Sequence, residues 1–232
     1  MNNTYILDIE TTGLDRYKDN LNVTGIYCLE TGDIYQPLSI EDFYELYLKL
    51  NLKDNLVIAH NATFDIKFLQ AKCKHFLPFN NLLDTVILYY LFDPYLQKYK
   101  LKELVKMLFG VEYDVGLDIK TGVSEKMLEY NILDLQYTGV IYNILLSKLS
   151  NKEVRLAKYL TRISFIYSEA TEIGMQIDTE MCRNALKIYQ QKYEELGNSI
   201  EVKEEYLVDL NSTFIGYYPM KVFFFYETKR IG

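Results

Sequence analysis

Two carboxylates, Asp8 and Glu10, stand close together near the start of the chain. The apolar residues around them, followed by the turn residues 11–13, predict a β-strand over residues 5–10. Residues two apart on a strand leave the same face, so both carboxylates point the same way. Close carboxylates repel and are unfavourable among apolar neighbours, which favours binding of a hard cation such as Mg²⁺ or Mn²⁺. A structural or merely exposed role is the alternative for this pair alone.

Two further carboxylates follow, each with a simpler explanation of its own. Asp65 comes shortly after Asn61, where a predicted strand gives way to a helix, and a carboxylate there often only caps the helix. Tyr130 and Asp134 are four residues apart in a long helical pattern, which places the phenol and the carboxylate on one helix face. An exposed aspartate beside a half-buried tyrosine is the ordinary alternative. Chemistry requires that the fold bring these groups together.

Strands and helices alternate over the first part of the chain, which indicates an α/β fold. Strands are predicted over residues 5–10, 22–28, 34–38 and 56–60. Helices are predicted over residues 40–50, 64–73, 101–109 and 124–149. We place a boundary near residue 150. Beyond it, two long helices over residues 152–173 and 179–205 precede an aromatic tail, and no strand signal is present.

The composition excludes several classes of protein. Of the residues, 49% are hydrophobic and 25% charged, which is ordinary globular composition. No apolar run approaches the roughly 20 residues of a membrane span, and the N-terminus lacks the pattern of a signal peptide. Three scattered cysteines without a CxxC pair indicate a reducing compartment, and only two histidines are present, so a metal must bind to oxygen ligands. We therefore expect a cytoplasmic protein with no membrane partner.

Charge is distributed unevenly along the chain. The net charge of −7 argues weakly against a protein that coats nucleic acid. Residues 1–65 carry 4 basic and 11 acidic side chains, whereas residues 66–106 carry 7 basic and 3 acidic ones. This suits a metal-dependent enzyme acting on a polyanion, and ordinary solvated faces are the alternative. The candidates for phosphate contact are Lys67, Lys72, Lys74, Lys98, Lys100 and Lys102.

Taken in order, three segments resemble the exonuclease motifs of the DEDD superfamily. They are Ile-Leu-Asp-Ile-Glu-Thr-Thr-Gly-Leu at 6–14, His-Asn-Ala-Thr-Phe-Asp at 60–65 and Tyr-Asn-Ile-Leu-Asp at 130–134. The tyrosine four residues before the last aspartate is similar to that of the tyrosine subclass, which includes the proofreading domain of family A DNA polymerases and ribonuclease D. The resemblance covers about the first 150 residues. It implies a ribonuclease H-like fold, a mixed sheet flanked by helices.

The resemblance also implies roles for individual residues. Two divalent cations, Mg²⁺ or Mn²⁺, would be held by Asp8, Glu10, Asp65 and Asp134. Tyr130 would orient the attacking water, and nucleoside 5′-monophosphates would leave from the 3′ end of single-stranded or frayed DNA. Asp84 is expected to lie behind the metal ligands, or to cap a helix, rather than to bind a cation itself. The implied substrate contacts are Thr11, Leu14, Asn61 and Phe64.

Residues 169–178 resemble the stretch that joins the exonuclease to the thumb of family A DNA polymerases, with Thr171 where a glutamate is usual. This favours a proofreading 3′→5′ exonuclease domain over residues 1–150 and an incomplete, thumb-like helical segment over residues 151–232. No palm or fingers follow. A stand-alone enzyme, a split polymerase with a separate palm and fingers subunit, and an interrupted reading frame stay open. A non-catalytic scaffold and a ribonuclease D-like RNA exonuclease are further alternatives. The composition suggests an A/T-rich, viral genome, which would place the protein in a host cytoplasm.

Overall fold

A single mixed sheet organises the chain. A computed structural model describes residues 3–113, 122–174 and 178–199, and within these residues five strands pair in the order β3-β2-β1-β4-β5. The central strand β1 is antiparallel to β2 and parallel to β4. The third strand is shorter than the sequence predicts because Pro37 has no N–H to donate to a ladder. The strands are β1 (Thr4–Thr11), β2 (Leu21–Cys28), β3 (Ile34–Tyr35), β4 (Leu56–Ala59) and β5 (Leu82–Asp84).

The helices found in the described ranges begin and end at residues with clear local causes. The side chains of Ser39, Ser124 and Ser150 each accept a backbone N–H at a helix start. Gly110 ends the fourth helix with a φ of 68°, a left-handed conformation that glycine adopts without strain. The helices are α1 (Ile40–Lys49), α2 (Ala62–Lys72), α3 (Thr85–Phe92), α4 (Leu101–Phe109), α5 (Glu125–Lys148), α6 (Asn151–Ile173) and α7 (Thr179–Ser199).

The two faces of the sheet bury two separate apolar cores. Leu7 and Ile9 of β1 point into the core that α1 and α2 cover, whereas Ile6 points into the core covered by α3, α4, α5 and α6. Successive strand residues alternate between faces, so Asp8 and Glu10 share the Ile6 face and point toward α5. The expected α/β architecture with helices on both sides of the sheet is confirmed.

Helix α6 packs against the sheet domain. Ala157 and Thr161 are fully buried, and the Thr161 hydroxyl oxygen accepts the backbone N–H of Asp84 at 3.2 Å. The first compact unit accordingly extends as far as Gly174, beyond the domain boundary predicted near residue 150.

The second compact unit is described only over residues 178–199, which form α7 and its first cap. Asp178 Oδ1 accepts the backbone N–H groups of Glu180 and Met181 at 3.0 and 2.9 Å. The helix predicted over residues 179–205 is present as far as Ser199. Residues 200–205 and the aromatic tail lie outside the described residues. Among the helices that the structure describes, none is long and apolar enough to cross a membrane.

Candidate active site

Three carboxylates meet at the end of the central strand. Asp8 and Glu10 extend from β1 toward α5, and Asp134 is buried on the facing side of α5. One oxygen from each of the three carboxylates lies within 4.8 Å of the others. The structure thus brings together side chains from both ends of the domain, whereas the spacings alone pair only Asp8 with Glu10 and Tyr130 with Asp134.

Asp65 reaches the same strand from the opposite layer. β4 ends at Ala59 while β1 continues, so the backbone of β1 beyond that point lacks a strand partner on this side. The buried carboxylate of Asp65 fills this gap, and its Oδ1 accepts the N–H of Ile9 at 3.2 Å. Asp65 is not a member of the three-carboxylate group. It interacts electrostatically with that group, because its charge raises the pKa of Asp8.

The turn that delivers Asp65 is held by Asp84. Asn61 takes a left-handed conformation with a φ of 66° directly before α2. Asp84 accepts the backbone N–H groups of Asn61 and Ala62 at 3.0 and 2.9 Å, and it caps α3 through the N–H of Val86 at 2.8 Å. Asp84 therefore acts as a helix cap that fixes the start of α2.

Burial raises the pKa of all four carboxyl groups above the ordinary value. The pKa of Asp8 lies well above its usual range because of burial and the neighbouring Asp65, Asp134 and Glu10. Burial and the charge of Asp134 raise the pKa of Glu10 to about 8. Burial also raises the pKa of Asp65 and of Asp134. Near neutral pH the cluster therefore retains protons, which a bound cation would release.

The donor set of the cluster fits a divalent cation. All three atoms of the close group are carboxylate oxygens, the ligands that Mg²⁺ and Mn²⁺ prefer. Like charges at this separation in a partly buried site are unfavourable without compensation, and a doubly charged cation supplies that compensation. The acidic cluster is thus chemically suited to a hard metal ion.

Asp134 is hydrogen-bonded to two tyrosines. The hydroxyl of Tyr113 donates to Asp134 Oδ1 at 2.6 Å, and the Tyr130 hydroxyl also bonds this carboxylate. Burial and the charge of Asp134 raise the pKa of both phenols above the usual value, so both remain protonated donors. The Lys102 ammonium lies 4.9 Å from the centroid of the Tyr130 ring. Sequence spacing identifies Tyr130, whereas Tyr113 was missed because it precedes α5 in a loop.

The four residues expected to contact substrate occupy different environments. Leu14 is 65% exposed in the loop that follows β1, and Asn61 is exposed at the turn after β4. Phe64 is half-buried against Phe68, with 5.8 Å between ring centroids. Thr11 is buried, and its hydroxyl donates to the carbonyl of Gly13 at 2.7 Å. Leu14 and Asn61 are therefore accessible, and Thr11 shapes the loop that carries Leu14.

Two of the candidate phosphate-binding lysines are already paired with carboxylates. Lys67 has a side-chain exposure of only 6% and bonds Glu172 of α6 at 2.7 Å. Arg16, in the loop that carries Leu14, pairs with the same glutamate. Lys98 pairs with Glu103 at 3.3 Å on the surface. The sequence offered no signal for the Glu172 pairings, because its partners are about 105 and 156 residues away along the chain.

The raised carboxyl pKa values predict that the metal-free protein becomes less stable as the pH rises. Glu10 has a folded pKa of about 8 against an ordinary value of 4.5. The stabilisation that its raised pKa gives to the folded state is fully present below the ordinary pKa of 4.5 and is lost as the pH rises through about 8. We expect the free energy of unfolding to fall by at most about 1.4 kcal/mol per pH unit from this group. Melting temperatures measured in EDTA across this range test the effect.

The control for that measurement is Glu10→Gln. This variant lacks the titrating group, so its melting temperature should fall less steeply with pH than that of the wild type. Mg²⁺ should reduce the pH dependence of the wild type, because metal binding displaces the same protons. Equal slopes in the two proteins without metal would contradict the assignment of a raised pKa to Glu10.

Carboxylates lie at the end of the central strand of a mixed sheet, and a tyrosine–aspartate pair on a helix lies next to them. These features define a ribonuclease H-like protein with an acidic site. A family model described as 3′–5′ exonuclease matches residues 3–150. The chain belongs to this 3′–5′ exonuclease family. A search of curated proteins gives no match.

Solved structures of nucleases share the fold. NrnC of Brucella melitensis is 23% identical with a TM-score of 0.60, over 75% of this chain and 89% of that one. Ribonuclease D of Escherichia coli is 21% identical with a TM-score of 0.56, over 72% and 45% of the two chains. Other NrnC structures contain bound Mg²⁺ or pGG. These likenesses confirm the ribonuclease H-like fold that the motifs imply.

Proposed function

We propose that the protein is a metal-dependent 3′→5′ exonuclease that removes nucleoside 5′-monophosphates from single-stranded or frayed DNA 3′ ends. The observation that supports this most is the convergence of Asp8, Glu10 and Asp134 within 4.8 Å, in a chain of the 3′–5′ exonuclease family. The cluster is assembled from two segments that lie more than a hundred residues apart in the sequence. A merely structural role for each carboxylate gives no reason for that convergence.

In this proposal Asp8, Glu10, Asp65 and Asp134 hold two divalent cations, Mg²⁺ or Mn²⁺. When bound, such a pair acidifies the attacking water and stabilises the departing 3′ oxygen. Asp65, anchored on the β1 backbone, contributes from the side opposite Asp134. The arrangement keeps all four carboxylates on rigid elements, which holds them in place for the reaction.

Tyr130 orients the attacking water through its hydroxyl in this mechanism. Its raised pKa keeps the proton on the phenol, which makes it a hydrogen-bonding group and a poor general base. Its bond to Asp134 sets the position of the hydroxyl relative to the cluster. Lys102, next to the Tyr130 ring, places a positive charge near Glu10 and Asp134, where it would favour an anionic substrate.

The exposed groups around the cluster suit a single strand of any sequence. Leu14 offers an apolar surface for the terminal base, and Asn61 offers an amide for the sugar or phosphate. Stacking and backbone contacts of this kind tolerate every base. We propose that Phe64 and Thr11 support these two contacts from behind.

A short RNA is the second candidate substrate. Two structural neighbours favour it. They are NrnC, bound to pGG, and ribonuclease D, described as an exoribonuclease involved in structured RNA processing.

Two alternatives concern a polymerase. The protein would act beside a separate palm and fingers subunit, or it would serve only as a scaffold in such a complex. The resemblance of residues 169–178 to the exonuclease–thumb junction supports the polymerase association.

The experiment that tests the proposal uses 5′-labelled DNA and RNA of one sequence, each with Mg²⁺, with Mn²⁺ and with EDTA. A ladder shortening by one nucleotide from the 3′ end of DNA, present only with metal, is the expected result. Faster digestion of the RNA lane would move the proposal to the second candidate. Folded protein that digests neither strand under any metal would overturn the exonuclease proposal and favour a scaffold.

A further inference from the structure

Asn131, the residue after Tyr130, is fully buried and reaches across to β1. Its Nδ2 donates to Asp8 Oδ2 at 2.8 Å, and its Oδ1 accepts a hydrogen bond from Gln36 Nε2 at 3.0 Å. The proposed mechanism assigns roles to the carboxylates and to Tyr130, and it assigns none to Asn131. A buried amide that makes hydrogen bonds on both sides is held in one orientation.

The direction of this hydrogen-bond chain is fixed by a backbone carbonyl. Gln36 Nε2 also lies 2.9 Å from the carbonyl oxygen of Leu128, which accepts and cannot donate. The Gln36 atom at this point must therefore be its nitrogen. That nitrogen faces the oxygen of the Asn131 amide, and so the Asn131 nitrogen faces Asp8.

Gly25 provides the space for this approach. It lies directly opposite Asp8 in the β1–β2 register. A Cβ at this position would collide with the amide oxygen of Asn131 and with a methyl group of Leu135. Glycine inside a strand lowers stability relative to alanine. Here it marks a close approach between the sheet and α5.

We propose that Asn131, oriented by Gln36 and given room by Gly25, is a positioning residue that holds the Asp8 carboxylate in its metal-binding orientation. The bond uses one of about four lone-pair positions of the carboxylate and leaves the others for cations. Residues that hydrogen-bond a metal ligand in this way orient it and thereby influence metal affinity. The inference rests on the proposed function, because it treats Asp8 as a metal ligand.

The test measures binding of Mn²⁺ alone to the metal-free protein by calorimetry, without nucleic acid. Asn131→Leu keeps the branched shape of the side chain and removes the donor, and Asn131→Ala removes both. We expect each variant to bind Mn²⁺ about 10- to 100-fold more weakly than the wild type. Gln36→Leu, which releases the amide orientation and leaves Asn131 in place, should show a smaller loss in the same direction.

Asn55→Ala is the matched control. Asn55 also makes two hydrogen bonds through its side-chain amide, accepting from the Asn3 N–H and donating to the Leu50 carbonyl, but it precedes β4 at the end of the strand away from the site. Its loss should lower the melting temperature and leave Mn²⁺ affinity unchanged. Wild-type affinity in Asn131→Leu, or an equal loss in Asn55→Ala, would overturn the positioning role and indicate packing alone.

Activity measurements separate this inference from the proposed function. Variants of Asn131 should need a higher Mg²⁺ concentration for half-maximal digestion and keep the wild-type KM for the oligonucleotide. If the wild type binds Mn²⁺ in an Asn131-dependent way but digests no nucleic acid, the proposed function fails and the positioning role stands. If the wild type digests DNA and the variants keep both their Mn²⁺ affinity and their Mg²⁺ requirement, the positioning role fails alone.

Discussion

Asparagine in place of Asp8 should lower the rate of nucleotide removal by at least about 10³-fold, equivalent to about 4 kcal/mol of transition-state stabilisation. The reason is that Asp8 lies at the centre of the cluster, close to Glu10 and Asp134 and within the electrostatic influence of Asp65. In the proposed mechanism Asp8 would hold the cations together with these carboxylates. The measurement is the rate of single-nucleotide release from labelled DNA at saturating Mg²⁺.

The same substitution should raise the melting temperature of the metal-free protein. Asparagine has the shape of aspartate but cannot ionise, so it removes one member of a group of carboxylates that repel one another when ionised. Glu45→Gln, on the exposed side of α1, removes a charge without touching the cluster and is the matched control. Retained activity in Asp8→Asn would contradict the proposed site. A large loss of stability would instead show that Asp8 is a structural group.

Sequence spacing predicts each half of the carboxylate cluster separately because the members lie on regular elements. The two-residue interval between Asp8 and Glu10 fixes their common face on any strand, and the four-residue interval between Tyr130 and Asp134 fixes theirs on any helix. Neither interval says which face the strand presents to which helix. The apolar residue Ile6, buried under α5, settles that in the folded chain.

The remaining members of the site depend on contacts that no local pattern encodes. Tyr113 reaches Asp134 from a loop, and Gln36 reaches Asn131 from the end of β3. Gly25 did carry a signal, since an isolated glycine inside a predicted strand indicates a close approach of another group. That signal shows where an approach occurs and does not identify the approaching residue.

The packing of α6 against the sheet domain could not be predicted from the sequence, for a related reason. The two fully buried residues of α6 are Ala157 and Thr161, a small side chain and a polar one. A helix that docks through small residues lacks the broad apolar stripe by which a core-facing helix is recognised. Its exposed face carries larger apolar groups, among them Tyr159 and Ile166, at 62% and 65% exposure. The pattern therefore indicated a separate helical segment.

Removal of α6 is expected to have the largest effect on stability, although the family model ends at residue 150. A chain shortened to residues 1–149 exposes the surfaces of β5 and α3 that α6 covers, and the N–H of Asp84 loses its acceptor, Thr161. Loss of several kcal/mol should lower the melting temperature by more than about 10 °C. A chain of residues 1–174 keeps the whole first unit and should melt like the full-length protein.

Activity should follow stability in this series, because Asp84 fixes the turn that delivers Asp65. A pair of substitutions in the full chain separates docking from chain length. Ala157→Asp buries an unpaired charge at the interface and should reproduce the shortened chain, whereas Tyr159→Asp places the same charge on the exposed face of α6 and should be tolerated. A 1–149 chain with the melting temperature and DNA-digesting activity of the 1–174 chain would show that the exonuclease unit ends before α6.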